Sequence, residues 1–376
     1  MHTCWRVRSS ILNDHPTLSE RRHSSTEHSP SVAAESHAAD PASAAPEEEG
    51  LLSGADRPIH LTPSRRPAEQ SHDSIDNGDE VNEIGLQIRP VQSLSQAEFA
   101  ALEQLAFKYG RYSDSYLAVE QQRHCYLSAD HQAAVSVIPM GRVLHISGGI
   151  LAAPEHHAQV IDQLQTYAAR TGQTVACYSI GDDKRPLFED AGWEVSKLGE
   201  DTLLSLKDLS WTGKPFEWVR RQENYCGRAG LVSREIAHRE MESTEWQQIR
   251  QELFEIQAED LQDRIYAQEM SLLVGRLEPD NLQRRRLFVA EDRQSGRIQA
   301  FVIANPMNAG RGWSLEMYRK RASTPRGTMP FLLKRTIDTF RSEDVDEVSL
   351  CLIPWKDCHT YRGPRTSPLV RHGMTL

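Results

Sequence analysis

The sequence is poor in the features that mark membrane, secreted and metal-bound proteins. No apolar run approaches the roughly 18 residues of a spanning helix, and the longest charge-free stretches, such as Val143–Pro154, fall well short of it. Met1–Asn13 holds Arg6 and Arg8 but lacks the apolar core of a signal peptide. Positive charge is not in excess. Lys and Arg number 43 against 53 Asp and Glu, a formal net charge of −10 over 376 residues. That excludes a general nucleic-acid-binding polycation and confines any polyanion contact to a local basic patch. Six cysteines (Cys4, Cys125, Cys177, Cys226, Cys351, Cys358) show neither CxxC nor zinc-finger spacing. They read as reduced, mostly buried thiols of a cytosolic protein. Fifteen histidines include no pair with metal spacing, so no metal site is expected. Walker, HExxH and GxSxG motifs are also missing.

What is present begins with a composition shift. Residues 1–84 are rich in Ser, Pro, Ala, Glu and His, as in Ala38–Glu49 and Pro63–Asp79. They cannot bury enough apolar surface to offset ordering entropy, so a disordered low-complexity arm is expected. A first folded block is predicted over 85–210. Ser95–Phe107 has helical periodicity, with Ser95 and Glu98 as a capping box. Strands follow at Cys125–Ser128, Ala133–Pro139 and Val143–Gly148, then a helix over Pro154–Ala169, a strand at Thr174–Ile180 and a short helix, Arg185–Ala191. Trp193–Lys197 and Thr202–Leu206 read as a closing strand pair. A second block, 236–376, repeats the order: helix Trp246–Ile256, hairpin Arg286–Glu291/Ile298–Asn305, strand Gly312–Tyr318, helix Thr328–Phe340, strand Glu347–Ile353. One α/β (α+β) fold used twice is the expectation.

Between the blocks, 211–235 reverses the local sign of charge. Lys214–Arg234 carries Lys214, Arg220, Arg221, Arg228 and Arg234 against Glu217 and Glu223. Pro215–Tyr225 reads as a helix with Pro in its first turn. Such a helix is either a solvated face or an electrostatic footprint for a phosphate backbone. The interleaved Trp211, Phe216 and Trp218 either anchor it to a core or stack on bases or lipid. In Ser314–Arg319, strict alternation puts Trp313, Leu315 and Met317 on one face and Ser314, Glu316 and Tyr318 on the other. A mid-strand carboxylate is costly unless paired, so Glu316 is an edge residue or a site residue, with Arg319 where the strand runs out. Arg326-Gly327-Thr328-Met329 opens a helix whose free N–H groups can hold an anion.

The runs Tyr109–Ser115, Gly148-Gly149 through Pro154-Glu155, Lys197–Asp201, Gly213-Lys214, Glu316–Arg319 and Gly327–Met329, in that order, resemble the catalytic domain of bacterial phosphatidylglycerol lysyltransferases, the multiple peptide resistance factors. The likeness covers about Ile84 to Leu376. It implies two tandem GNAT-like folds joined by a basic helix, with aminoacyl-tRNA as donor and a phosphatidylglycerol-type headgroup hydroxyl as acceptor. The RxxGxG loop that cradles coenzyme A in ordinary GNAT enzymes is missing, which argues against that cofactor; none is expected beyond the tRNA co-substrate. The resemblance places Glu316 and Arg319 as catalytic, Gly327, Thr328, Glu200 and Asp201 as substrate-binding, and Lys214, Arg220, Arg221 and Arg228 on the tRNA. It implies a chain in the cytoplasm or at the inner face of the plasma membrane. This sequence departs from the family at Glu316, where Asp is usual, and at Arg326, where Asn is usual. The membrane-spanning half of many members is missing, and family members continue beyond the position of Leu376, so a second fold truncated at its C-terminus is expected. A peptide or small-molecule acceptor, or a non-catalytic module, stays open as an alternative.

Overall fold

The computed structural model describes residues 2–8 (backbone only), 86–262, 272 and 274–358. Among them twelve strands join in one sheet. In chain order these are β1 (His2–Arg8), β2 (Ile88–Pro90), β3 (His124–Leu127), β4 (Ala133–Met140), β5 (Val143–Ala152), β6 (Thr174–Ile180), β7 (Glu194–Ser205), β8 (Leu231–Ile236), β9 (Arg286–Asp292), β10 (Ile298–Met307), β11 (Gly312–Lys320) and β12 (Glu347–Pro354). The helices are α1 (Gln96–Tyr109), α2 (His157–Thr171), α3 (Arg185–Asp190), α4 (Glu217–Arg228), α5 (Ser243–Gln262) and α6 (Thr328–Ser342). Across the sheet the order is β2-β3-β4-β5-β6-β1-β7-β12-β11-β10-β9-β8.

Local chemistry explains why the elements form. Ser95 accepts from the Glu98 N–H at 3.3 Å while Glu98 accepts from the Ser95 N–H at 2.8 Å, a closed capping box at the head of α1. In α2 the 3.6-residue period buries Val160, Leu164 and Ala168 against the sheet, and in α6 it buries Phe331, Leu332, Ile337 and Phe340. Each such side chain contributes on the order of 1.5–3 kcal/mol relative to exposure.

The chain uses one plan twice. Antiparallel hairpins lead into a strand that crosses through a helix to a parallel neighbour: β5-α2-β6 in the first half, β11-α6-β12 in the second. α2 and α3 cover one face of the first half and α1 the other. In the second half the cover is α4 and α6 on one face and α5 on the other. The architecture is a mixed α/β tandem of two similarly built halves, with the basic helix α4 between them. In each half the parallel pair opens partway, beyond Ile146/Cys177 and beyond Ser314/Ser349.

Several expectations are corrected. The two halves share one continuous sheet, because β12 leaves β11 and pairs antiparallel with β7. The closing strand pair of the first block is the single strand β7. It carries Lys197–Asp201 through the seam because Lys197 and Glu200 neutralise each other at 2.7 Å. The arm expected over 1–84 is corrected at its start: His2–Arg8 forms β1, between β6 and β7. Residues 9–84 of that arm lie outside the described residues, as do 359–376 of the second block. β8, read as part of the basic connector, pairs with β9 and so belongs to the second half-sheet.

Candidate active site

The site is built around an irregularity in β11. Its register with β10 runs Ile303↔Met317 and then Ala304↔Leu315, so Glu316 is the extra residue of a β-bulge. The bulge overturns the strict alternation expected from sequence. Trp313 and Leu315 pack with α6, but Met317 packs with α5 on the opposite face of the sheet. A one-residue slip exchanges faces for everything after it. Arg319, two residues beyond Met317, therefore reaches α5, with its Nε 3.2 Å from Gln257 Oε1 and 3.6 Å from Asp260.

Glu316 is released from the ladder just where β11 and β12 separate, and its carboxylate meets the first half of the molecule. The Gly275 N–H donates to Oε1 at 2.5 Å. A Cβ on Gly275 would lie 2.7 Å from Glu316 Oε2 and 2.8 Å from Glu120 Oε1, so a side chain there would crowd both carboxylates. Glu120 is buried and paired to Arg123 at 3.0 Å and Arg285 at 3.4 Å, and Arg123 donates to Ser147 Oγ at 2.7 Å. Burial pushes the Glu316 carboxyl up to about 7; the Gly275 N–H opposes this, the charge of Glu120 adds to it, and Arg285 and then Arg319 pull it back down. The sequence reading expected an acid–guanidinium pair. Here Arg285, from the segment before β9, outweighs Arg319 as counter-charge. Cys351 lies in β12 at a positive φ of 70° and is half-buried. Burial, with the charges of Glu316, Asp201 and Asp114, holds its thiol well above the ordinary range, so it stays protonated.

A carboxyl with near-neutral proton affinity, flanked by buried guanidinium groups and held by a fixed N–H, can take a proton from a hydroxyl and return it to a leaving oxygen. Among the described residues no group of three His, Cys, Asp or Glu is placed to hold a metal ion.

The family described as phosphatidylglycerol lysyltransferase, C-terminal, matches residues 103–375. The chain belongs to this family. Relatives include a lysylphosphatidylglycerol biosynthesis bifunctional protein LysX of Rhodococcus opacus, 24% identical over 264 residues, covering 70% of this chain and 23% of that protein. A phosphatidylglycerol lysyltransferase of Bacillus subtilis is 24% identical over 240 residues, covering 64% of this chain and 27% of that one. The chain thus spans about a quarter of the length of the curated relatives it matches. In fold it is similar to L-PGS from Bacillus licheniformis, with a TM-score of 0.64 at 21% identity over 78% of this chain and 84% of that one. The C-terminal DUF2156 domain of an Agrobacterium fabrum protein gives a TM-score of 0.62 at 19% identity, over 74% of this chain and 88% of that one.

The other family positions fall in three places. Asp201, on the seam strand β7, accepts from Ser349 Oγ at 2.6 Å and lines a cavity of about 410 Å³ with Arg111, Tyr112, Asp182 and Glu347. Glu200 is held by Lys197. Gly327 caps α6 at φ 90°, and a Cβ there would lie 2.3 Å from Gln222 Oε1, so it docks α6 onto α4. Thr328 is buried and donates to the Pro325 carbonyl at 2.7 Å. Both therefore fix the α4–α6 contact, a turn of helix rather than an open anion cradle.

The basic residues of the connector divide. Arg220 donates to the carbonyls of Trp211 and Gly213, closing the entry loop of α4. Trp211 and Phe216 meet edge to face at 5.3 Å, Trp211 packs on the core of the second half, and its Nε1 donates to Asp338 at 2.7 Å. Trp218, Arg221, Tyr225 and Arg228 recur at helical spacing on the outer face and line one open groove with Arg326. Trp218 is 54% and Tyr225 49% exposed. Lys214 is exposed in the turn before α4. Sequence reasoning missed Glu120, Gly275, Arg285 and Tyr225. Tyr225 was legible as Trp218 plus seven, whereas the other three gain meaning only from contacts between the halves.

Proposed function

We propose that this chain moves an aminoacyl group from aminoacyl-tRNA to the headgroup hydroxyl of a phosphatidylglycerol-type lipid. The observation that carries it is Glu316: a bulged, near-neutral carboxyl between two GNAT-like halves, held by the Gly275 N–H. The acceptor hydroxyl gives its proton to Glu316 as its oxygen attacks the aminoacyl carbonyl. The tetrahedral intermediate collapses, the bond to the terminal ribose oxygen breaks, and that oxygen takes the proton back. An ester replaces an ester, so no oxidant, metal or coenzyme A enters the balance. The donor is already activated, and positioning with charge stabilisation is the main task. Arg285 and Arg319 supply positive charge near Glu316, and the groove of Trp218, Arg221, Tyr225, Arg228 and Arg326, with Lys214 beside it, holds the tRNA. No helix among the described residues is long and apolar enough to cross a membrane.

The test supplies tRNA charged with a labelled amino acid, vesicles containing phosphatidylglycerol, and the full chain. Label moving to the organic phase with wild type, and staying on tRNA with Glu316→Gln, supports the reading. Label released to water alone, or lipid labelling unaffected by Glu316→Gln, overturns it.

A further inference from the structure

Two motif runs of the first half, Tyr109–Ser115 and Gly148–Glu155, have residues in a cavity that Glu316 does not line. The cavity is narrow, about 90 Å³, and its walls come wholly from the first half. Arg111 and Tyr112 lie on one side, Gly149 and Ile150 on another, and Leu187 and Phe188 of α3 on a third.

The charge at this cavity is one-sided. Lys108, Arg111 and Lys184 all line it. Lys108 and Arg111 are exposed at its mouth. The acid close to Lys184, Asp183, lies 3.7 Å away, is itself 57% exposed, and offsets part of that charge. The field reaches inward: His157, buried on the same wall, is held below its ordinary pKa first by burial and then, among charges, by Lys184 and Arg111, with Asp183 opposing. Behind the cations the lining is apolar, through Ile150, Leu187 and Phe188, and Leu187 reaches solvent at 37% exposure. A cationic rim over an apolar slot with an exposed leucine at its edge matches an anionic amphiphile. An ammonium would be repelled.

Arg111 and Tyr112 also wall the seam cavity that contains Asp201. A phosphate held at Arg111 therefore stands between an apolar slot on one side and the seam on the other. We propose that the first-half cavity holds one anionic phospholipid: its phosphodiester lies on Arg111 and Lys184, its first acyl carbons on Ile150 and Leu187, and its headgroup alcohol points past Tyr112 into the seam. This deepens the acceptor reading above and rests on it.

Titration calorimetry on the full chain tests the site without transfer. Dihexanoyl phosphatidylglycerol below its micelle concentration is compared with dihexanoyl phosphatidylcholine, glycerol 1-phosphate and inorganic phosphate. Saturable binding of the anionic lipid, weakened about tenfold or more by Arg111→Glu/Lys184→Glu, is the expected result. Leu187→Asp should weaken the lipid but leave glycerol 1-phosphate unchanged. Arg111 and Leu187 are exposed whereas the Lys184 side chain is 22% exposed, and a thermal melt checks that both variants fold. Equal affinity for the charge-reversed variant overturns the site, and so does inorganic phosphate binding as tightly as the lipid. Lipid binding without any transfer by wild type would leave the site standing and remove the function proposed above. Transfer that survives Arg111→Glu/Lys184→Glu unchanged would do the reverse.

Discussion

Glu120, from the segment between α1 and β3, and Glu316, in β11, converge on two consecutive backbone N–H groups. Gly275 donates to Glu316 at 2.5 Å, and Arg276 donates to Glu120 at 2.8 Å. The two carboxylates differ in their further partners. Glu120 is neutralised by Arg123 and Arg285, whereas Glu316 has burial and a like charge against it. Two neighbouring acids are thus driven apart in proton affinity, the arrangement that assigns one to structure and the other to proton transfer.

The pH dependence follows from that. The folded pKa of Glu316 is raised from 4.5 to about 7. Stability from this group is therefore full below about pH 4.5 and is lost as pH rises through 7. Glu316→Gln should gain in thermal midpoint relative to wild type between pH 5 and pH 8, by about 2–5 °C. As a base Glu316 acts deprotonated, so the transfer rate of wild type should climb with pH and level off above 7. Glu316→Gln should lower it by about 10²–10⁴ and abolish that limb. A flat wild-type profile across pH 5.5–8 would remove Glu316 as the base.

Gly275→Ala places a methyl group on both carboxylates and 2.8 Å from Leu117 Cδ2. The crowding should destabilise the fold by about 1–3 kcal/mol, read by urea unfolding. Transfer should fall further than stability predicts, because the displaced carboxylate is Glu316. Wild-type activity in this variant would show that the Gly275 contact is not part of the site.

Much of this was legible from local pattern. The capping box of α1, the apolar stripes of α2 and α6 and the β9–β10 hairpin depend on neighbours a few residues away, and they formed where the periodicity put them. Glu316 was legible as an acid out of place in an apolar strand. The bulge that frees it was not, because an extra residue leaves no mark on a period-two pattern until its partner strand is known. β1 has the alternation Thr3, Trp5, Val7 in its sequence, but it sits ahead of a long low-complexity stretch whose composition masked it. Glu120 gave no signal, since apart from Arg123 its partners, Arg285 and Arg276, lie more than 150 residues away.

Glu120→Gln separates its two roles. Removing the charge takes away the repulsion that raises Glu316, so the rate–pH limb should move to lower pH. It also strips a buried partner from Arg123 and Arg285, and breaking a buried pair this way costs about 3–5 kcal/mol. Chemical denaturation should register the second effect, and the pH profile of whatever activity remains should register the first. An unmoved limb would mean that Glu120 acts on stability alone.

The basic helix offers a sharper test, because its arginines are committed differently. Arg220 holds the Trp211 and Gly213 carbonyls, so Arg220→Ala should cost about 1–3 kcal/mol of stability and leave the salt slope of tRNA binding nearly unchanged. Arg221 is 70% exposed, and its pairing with Glu217 across one turn is correspondingly weak. Arg228 lies on the same outer groove. If both meet phosphates, Arg221→Ala/Arg228→Ala should leave stability within about 0.5 kcal/mol of wild type and flatten the plot of log affinity against log salt by about 1–2. Trp218→Ala should weaken binding without altering that slope, since stacking releases no counterions. A slope that changes with Arg220→Ala and not with the Arg221/Arg228 pair would move the polyanion contact to another face of the protein.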